Sequence, residues 1–198
     1  MAIATTARRR TAALLLGATL VALGATACGP TDSSVSTTAK SSAAAPAAGG
    51  KTSAAPAAKG AAKLGDTIAL KGSDPSNTAD VTVLKLVDSP DGADEYTKPA
   101  DGMRFVAVQF RIKDTSSKAY SDAPQNSAKL LDAQGQSYGT SLSDTKAGPG
   151  FQVPVNIAPG ESALGFITFE VPKDAKIAKA QFALDSGFAQ QTGQWVLA

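Results

Sequence analysis

Between Met103 and Lys113 apolar side chains fall at every second position, Val106, Val108, Phe110 and Ile112, with Ala107, Gln109, Arg111 and Lys113 between them. Period-two alternation sends the two sets to opposite faces of an extended chain, so this stretch is expected to be a strand with one face buried. A buried face needs a second layer to cover it. Residues 67–70, 80–87, 127–132, 151–157, 163–171, 178–184 and 194–197 also read as strands, separated by Gly, Pro, Asp and Ser clusters. Eight short strands without a convincing amphipathic helix predict an all-β antiparallel sandwich.

Finer expectations follow. In residues 80–87, Val81 and Val83 share one face and Leu84 and Leu86 the other, which calls for a bulge or for burial on both sides. In residues 163–171, Ile167, Phe169 and Val171 should face inward, leaving Leu164 and Phe166 for a second contact. Asp132-Ala133-Gln134-Gly135-Gln136 reads as a hairpin turn with its glycine at positive φ. Pro159-Gly160 has the signature of a type II turn, and Pro172 removes a backbone donor where a ladder should stop.

The foldable part begins at Leu64. From Gly29 to Lys63 the chain is almost entirely Ala, Ser, Thr, Pro, Gly and Lys, with Val35 its only bulky aliphatic residue. Such a stretch buries too little apolar surface to fold alone and is expected to be a disordered tether, whether a stalk or a plain spacer. Upstream lies a secretory leader: Arg8, Arg9 and Arg10, an apolar run from Ala12 to Leu23, and the small residues Ala25, Thr26 and Ala27 before Cys28, the only cysteine. The run is too short to span a bilayer. Ala25 stands where lipoprotein signals most often carry leucine, so two outcomes stay open. The expected one is diacylglyceryl attachment to Cys28 and anchoring on the outer face of the cytoplasmic membrane; the other is ordinary cleavage after Ala27 with release. Export through the general or the twin-arginine route is left open by the same residues. The resulting plan is a signal peptide over 1–27, a tether over 28–63 and a sandwich over 64–198.

Four segments in order, Gly102-Met103-Arg104-Phe105-Val106-Ala107-Val108, Leu130-Leu131-Asp132-Ala133-Gln134-Gly135, Ala158-Pro159-Gly160-Glu161-Ser162 and Gly165-Phe166-Ile167-Thr168-Phe169-Glu170-Val171-Pro172, resemble an uncharacterised immunoglobulin-like domain. That domain, of unknown function, occurs in secreted proteins and lipoproteins of Gram-positive bacteria and actinobacteria, and is similar in fold to a small immunogenic protein secreted by mycobacteria. The resemblance covers about Leu64 to Leu197 and implies an immunoglobulin-like β-sandwich at the cell surface. It implies no catalytic residues. One departure is Lys113-Asp114-Thr115-Ser116, where members often carry asparagine after the strand.

Chemistry is sparse. The chain has no histidine, which removes the commonest general base and the favoured transition-metal ligand. Catalysis by Ser-His-Asp is excluded, and no serine is expected in a positioned S-x-x-K or G-x-S-x-G context. No catalytic residue and no cofactor is assigned. The formal charge of +2 falls to −1 once the three leader arginines are gone, so nucleic acid is not an expected partner. Asp88, Asp91, Asp94 and Glu95 form the one cluster that could hold a hard cation, without the ligand order of an EF-hand; a solvated turn kept soluble by its charge explains them better. Tyr96, Tyr120, Tyr138 and Trp195 are candidates for an aromatic recognition patch, although Trp195 in a terminal strand fits core packing better. These features favour a non-catalytic surface lipoprotein that binds a protein or cell-envelope partner. A structural spacer is the alternative, and an enzyme without histidine the last.

Overall fold

The computed structural model describes residues 33–40 and 61–197. Among the described residues thirteen strands form, in chain order β1 (Ser34–Ser36), β2 (Ala62–Lys63), β3 (Thr67–Lys71), β4 (Thr78–Asp88), β5 (Met103–Asp114), β6 (Tyr120–Asp122), β7 (Ala128–Asp132), β8 (Ser137–Tyr138), β9 (Thr140–Ser141), β10 (Val155–Ile157), β11 (Ser162–Pro172), β12 (Ile177–Ala183) and β13 (Gln191–Val196). One sheet runs β3-β4-β5-β11-β9 and the other β13-β12-β7-β8, with β1 and β2 both on the free edge of β13. All pairings are antiparallel except those two, which are parallel. Strands β6 and β10 make a separate antiparallel pair.

The core lies between the sheets. Val106, Val108, Phe110 and Ile112 of β5 are all fully buried, as their alternation requires, together with Ile167, Phe169 and Val171 of β11. The rings of Phe110 and Phe182 meet across the two layers, with centroids 5.4 Å apart at 43°. A bulge resolves the changed alternation in β4. Val83 faces Phe110 and Lys85 faces Gln109, so Leu84 is the extra residue that lets Leu86 pack against the core. The turns also follow from sequence: Gly135 takes φ +88° and Gly160 φ +84°, and Glu161 N–H donates to the Ala158 carbonyl at 2.9 Å.

Several boundaries move. Only Val155–Ile157 of the run 151–157 forms a strand, although Phe151 is buried against Gly165 and fills the space that a side chain there would need. Of the two residues assigned a second contact in β11, Phe166 is covered by Gly148, whereas Leu164 remains 55% exposed. Strands β6, β8 and β9 have only two or three residues, too few for a periodic signal.

The largest difference concerns the tether. Within its expected range, Ser34–Ser36 pair with Gln191–Gly193, and fully buried Ala62 pairs with Trp195. The apolar poverty that argued against folding does not bear on this pairing, because backbone amides and carbonyls carry it. The sandwich therefore extends upstream of Leu64. The leader and Cys28 lie outside the described residues.

Candidate functional site

The segment between β4 and β5, Ser89–Gly102, contains three of the four acidic candidates and Tyr96, and begins directly after the fourth, Asp88. It is long for a hairpin loop, yet it is pinned along its length. Ser89, at φ +54°, donates its N–H to the Phe105 carbonyl at 3.0 Å. Gly92 bridges to Thr145, Ala93 N–H donates to the Asp144 carbonyl at 3.0 Å, and Lys146 N–H to the Asp91 carbonyl at 2.9 Å. Glycine is required at 92: a Cβ there would lie 1.8 Å from the Thr97 carbonyl oxygen. The far end is held by Ala100 N–H donating to Glu170 Oε1 at 2.6 Å and by Lys173 N–H donating to the Gly102 carbonyl at 3.0 Å.

Three of the four acidic candidates are occupied within this frame. Asp88 Oδ1 accepts from Arg104 Nε at 2.9 Å, while the rest of that guanidinium donates to the carbonyls of Pro172 (2.7 Å) and Ala175 (2.9 Å). Asp91 pairs with Lys146 at 3.6 Å. Asp94 Oδ1 accepts from the Thr97 hydroxyl (2.9 Å), Thr97 N–H (2.8 Å) and Tyr96 N–H (2.9 Å), and these bonds, the Thr97 hydroxyl first, hold its carboxyl below the usual carboxylate range. Glu95 is exposed. Among the described residues no three His, Cys, Asp or Glu side chains gather to hold an ion. Asp88, Asp91 and Asp94 brace a loop, their charges fixing turns and neighbours.

The aromatic candidates separate. Trp195 is fully buried, its Nε1 donating to the Asp66 carbonyl at 2.9 Å, so it cannot form part of a recognition patch. Tyr120 is also buried. Its hydroxyl donates to Asp122 Oδ2 at 2.9 Å, and burial, reinforced by that carboxylate, pushes its phenol well above the ordinary value. Tyr138 is half-buried and donates to Asp132 Oδ2 at 2.9 Å, which raises its phenol in turn. Tyr96 alone of the four is displayed, 85% exposed on the pinned loop. A groove of about 510 Å³, which Tyr96 itself does not line, runs between the same loop and β5, bounded by Pro90, Thr97, Lys98, Pro99, Met103 and Lys173 among others. Lys98 and Lys173 make no ion pair among the described residues.

A second polar centre sits where β6 meets the β12–β13 connection. Asp122 accepts at Oδ1 from Ser186 Oγ (2.6 Å) and Ala123 N–H (2.7 Å), and at Oδ2 from Tyr120 and Ser186 N–H (3.0 Å). Burial opposes ionisation of Asp122, but these bonds, led by those from Ser186, outweigh it and lower its carboxyl. Asp185, Ser186 and Gly187 all have positive φ, at 55°, 54° and 87°. The two non-glycine residues are strained there, and the carboxylates of Asp122 and Asp185 hold the turn in place. Each oxygen of Asp122 is engaged in bonding its neighbours.

The string Ser143-Asp144-Thr145-Lys146 does spell S-x-x-K, contrary to expectation. It lies in a loop rather than at a helix start. Ser143 Oγ bonds Ser141 Oγ at 3.1 Å while Lys146 reaches Asp91, so serine and lysine have separate partners. Beside it is a polar cavity of about 60 Å³, into whose walls the unpartnered oxygens of Gln125 and Thr145 are built, with room for about two waters. No sequence signal marks that cavity, because its lining joins the loop around Ser143 to Gln125 and to Phe166 and Thr168 of β11, which are remote from one another in sequence.

Two sheets enclosing one apolar core and displaying a braced loop, with no assembled reactive centre in the regions described above, define an immunoglobulin-like β-sandwich module. The chain belongs to the DUF4352 family, a domain of unknown function, whose model matches residues 73–192. An uncharacterised protein of Bacillus subtilis (strain 168), YxkC, is 30% identical over 121 residues, covering 57% of this chain and 63% of that protein, so the match spans less than two thirds of the relative's length. The secreted protein MPT63 of Mycobacterium tuberculosis is similar in structure, with a TM-score of 0.52 at 17% identity over 68% of this chain and 94% of that one. The yjhA protein of Bacillus subtilis is similar at a TM-score of 0.47 and 11% identity, covering 69% of this chain and 99% of that one.

Proposed function

We propose that this is a lipid-anchored envelope protein, held at the outer face of the membrane through Cys28, whose sandwich recognises a protein or wall-polymer partner through the Ser89–Gly102 loop. One observation carries the recognition half: Tyr96 stands 85% exposed on a loop braced at both ends and in the middle. A large aromatic side chain left in water on a fixed backbone loses little entropy on binding and brings a large apolar face with a polar tip. The adjacent groove adds two lysines and the apolar surfaces of Pro90, Pro99 and Met103. The anchor half is supported by the leader and the cysteine that ends it.

Each half has its own test. Wild type and Cys28→Ala, expressed in a Gram-positive host, are compared by intact mass and membrane partitioning; acyl mass and membrane retention only in wild type supports the anchor. Partner capture from wall and membrane extracts is compared between wild type and Tyr96→Ala of equal thermal stability. A partner retained by wild type and lost at least tenfold in the variant supports the loop. Equal capture by both moves recognition elsewhere, and no partner for either favours a spacer.

A further inference from the structure

Residues Ser33–Lys40 are a strap laid along the edge of the sandwich. Ser34–Ser36 run parallel to Gln191–Gly193, Ser34 N–H donates to the Gln190 carbonyl at 3.0 Å, and Ser33 Oγ donates to Gln190 Oε1 at 3.1 Å. At the other end Lys40 N–H donates to the Thr67 carbonyl at 2.6 Å, and the Lys40 ammonium pairs with Asp80 at 2.5 Å. In the middle the Thr37 carbonyl accepts from Ala62 N–H at 2.7 Å, so the strap also meets the chain where it re-enters the sheet. This contact is chemically unlike the rest of the fold. Val35 is 55% exposed, no strap residue is fully buried, and the pairing rests on backbone bonds, one side-chain hydrogen bond and one ion pair.

We infer that the strap is a releasable clamp that sets how far the sandwich stands from its anchor. The clamp itself rests on the contacts above; its consequence at the membrane rests on the proposed lipid anchor. With the strap seated, only four residues separate Cys28 from Ser33, and the five Cα-to-Cα steps between them span at most roughly 18 Å. With the strap released, the chain to Ala61 spans 33 residues, and its limit rises to roughly 110 Å. The seated state holds the β13 edge close to the bilayer. The released state lets the domain reach into the wall and exposes the backbone of Gln191–Gly193, an open edge to which another extended segment can add. A contact held by main-chain bonds with little apolar burial has a low opening free energy, which is what reversible release requires.

The test uses the full mature lipidated chain, wild type against Ser34→Pro combined with Lys40→Ala, which removes the Ser34 donor and the Asp80 ion pair. Amide exchange reads the strap directly. The inference expects Ser34 and Lys40 of wild type to exchange at least about tenfold more slowly than an unstructured chain, and Ala62 to lose protection in the variant. Distance is read on vesicles by energy transfer from a fluorophore on Lys129→Cys to a headgroup acceptor, lipidation of Cys28 having left that thiol as the only one. Transfer should fall in the variant while the melting temperature stays nearly constant. Unprotected Ser34 and Lys40 in wild type, or equal transfer from both proteins, overturns the clamp. Absence of acyl mass on Cys28 defeats the anchor instead, and the exchange measurement still decides the clamp.

Discussion

Strands β5 and β1 are both held by regular ladders, yet they owe their conformation to different physics. In β5 every inward side chain is buried, and the strand lies between two long neighbours, β4 and β11. In β1 the only apolar side chain is mostly in water and a single neighbour pairs with it. The first strand is fixed by what its side chains avoid, the second by what its backbone can reach. The contrast separates a core that cannot open without unfolding from an edge that can open by itself.

Four experiments would break or sharpen this contrast. Phe110→Ala removes a fully buried ring from β5 that meets Phe182, and should cost about 3–5 kcal/mol in urea unfolding. A loss below about 1 kcal/mol would mean that the core is not the load it is taken to be. Gly92→Ala should cost about 1–3 kcal/mol, because the new Cβ meets the Thr97 carbonyl and the loop must shift. Proteolysis near Tyr96 should rise with it, and an unchanged cleavage pattern would show that the loop is not pinned.

The third experiment is the pH profile of stability. Asp74, Asp94, Asp122 and Asp132 have carboxyls held below their ordinary values, chiefly through hydrogen bonds from neighbouring backbone and hydroxyl groups. Their contribution is present above the unfolded value of about 3.9 and is lost as pH falls further. Tyr120 and Tyr138 are raised instead, so their contribution is present below about pH 10 and is lost as pH rises beyond it. With no histidine, melting temperature should be flat from about pH 5 to 8, and a midpoint near 6.5 would point to a group outside this account. The smallest effect belongs to Ser34→Pro. It should change global stability by no more than about 0.5 kcal/mol, because no side chain of Ser34–Ser36 is itself fully buried. A loss comparable to that of Phe110→Ala would erase the distinction between edge and core.

The same distinction governs what could be read from the sequence. Alternation at Val106–Ile112, the turn glycines at 135 and 160, and the doubled periodicity of residues 81–86 all express side-chain burial or backbone φ, and each survives in the structure. The seating of Ser34–Ser36 and the short β6, β8 and β9 rest on hydrogen bonds between main-chain atoms common to all residues, and leave no pattern to find. The candidate residues divide likewise. Tyr96 and the acids beside it do converge on one loop, but that Asp88 holds Arg104 depends on a neighbour sixteen residues away, whereas Asp94 caps its turn through Thr97, only three residues on. For Trp195 the position in a terminal strand already argued for the core, and the indole hydrogen bond to Asp66 completes that reading.

Trp195 also makes the molecule its own optical gauge. It is the only tryptophan in the chain, so ultraviolet emission excited at long wavelength comes from one dry indole on β13, directly opposite Ala62 where the N-terminal segment joins the sheet. A blue-shifted spectrum reports that seam closed, and a red shift reports water entering it, with no label attached to any part of the protein.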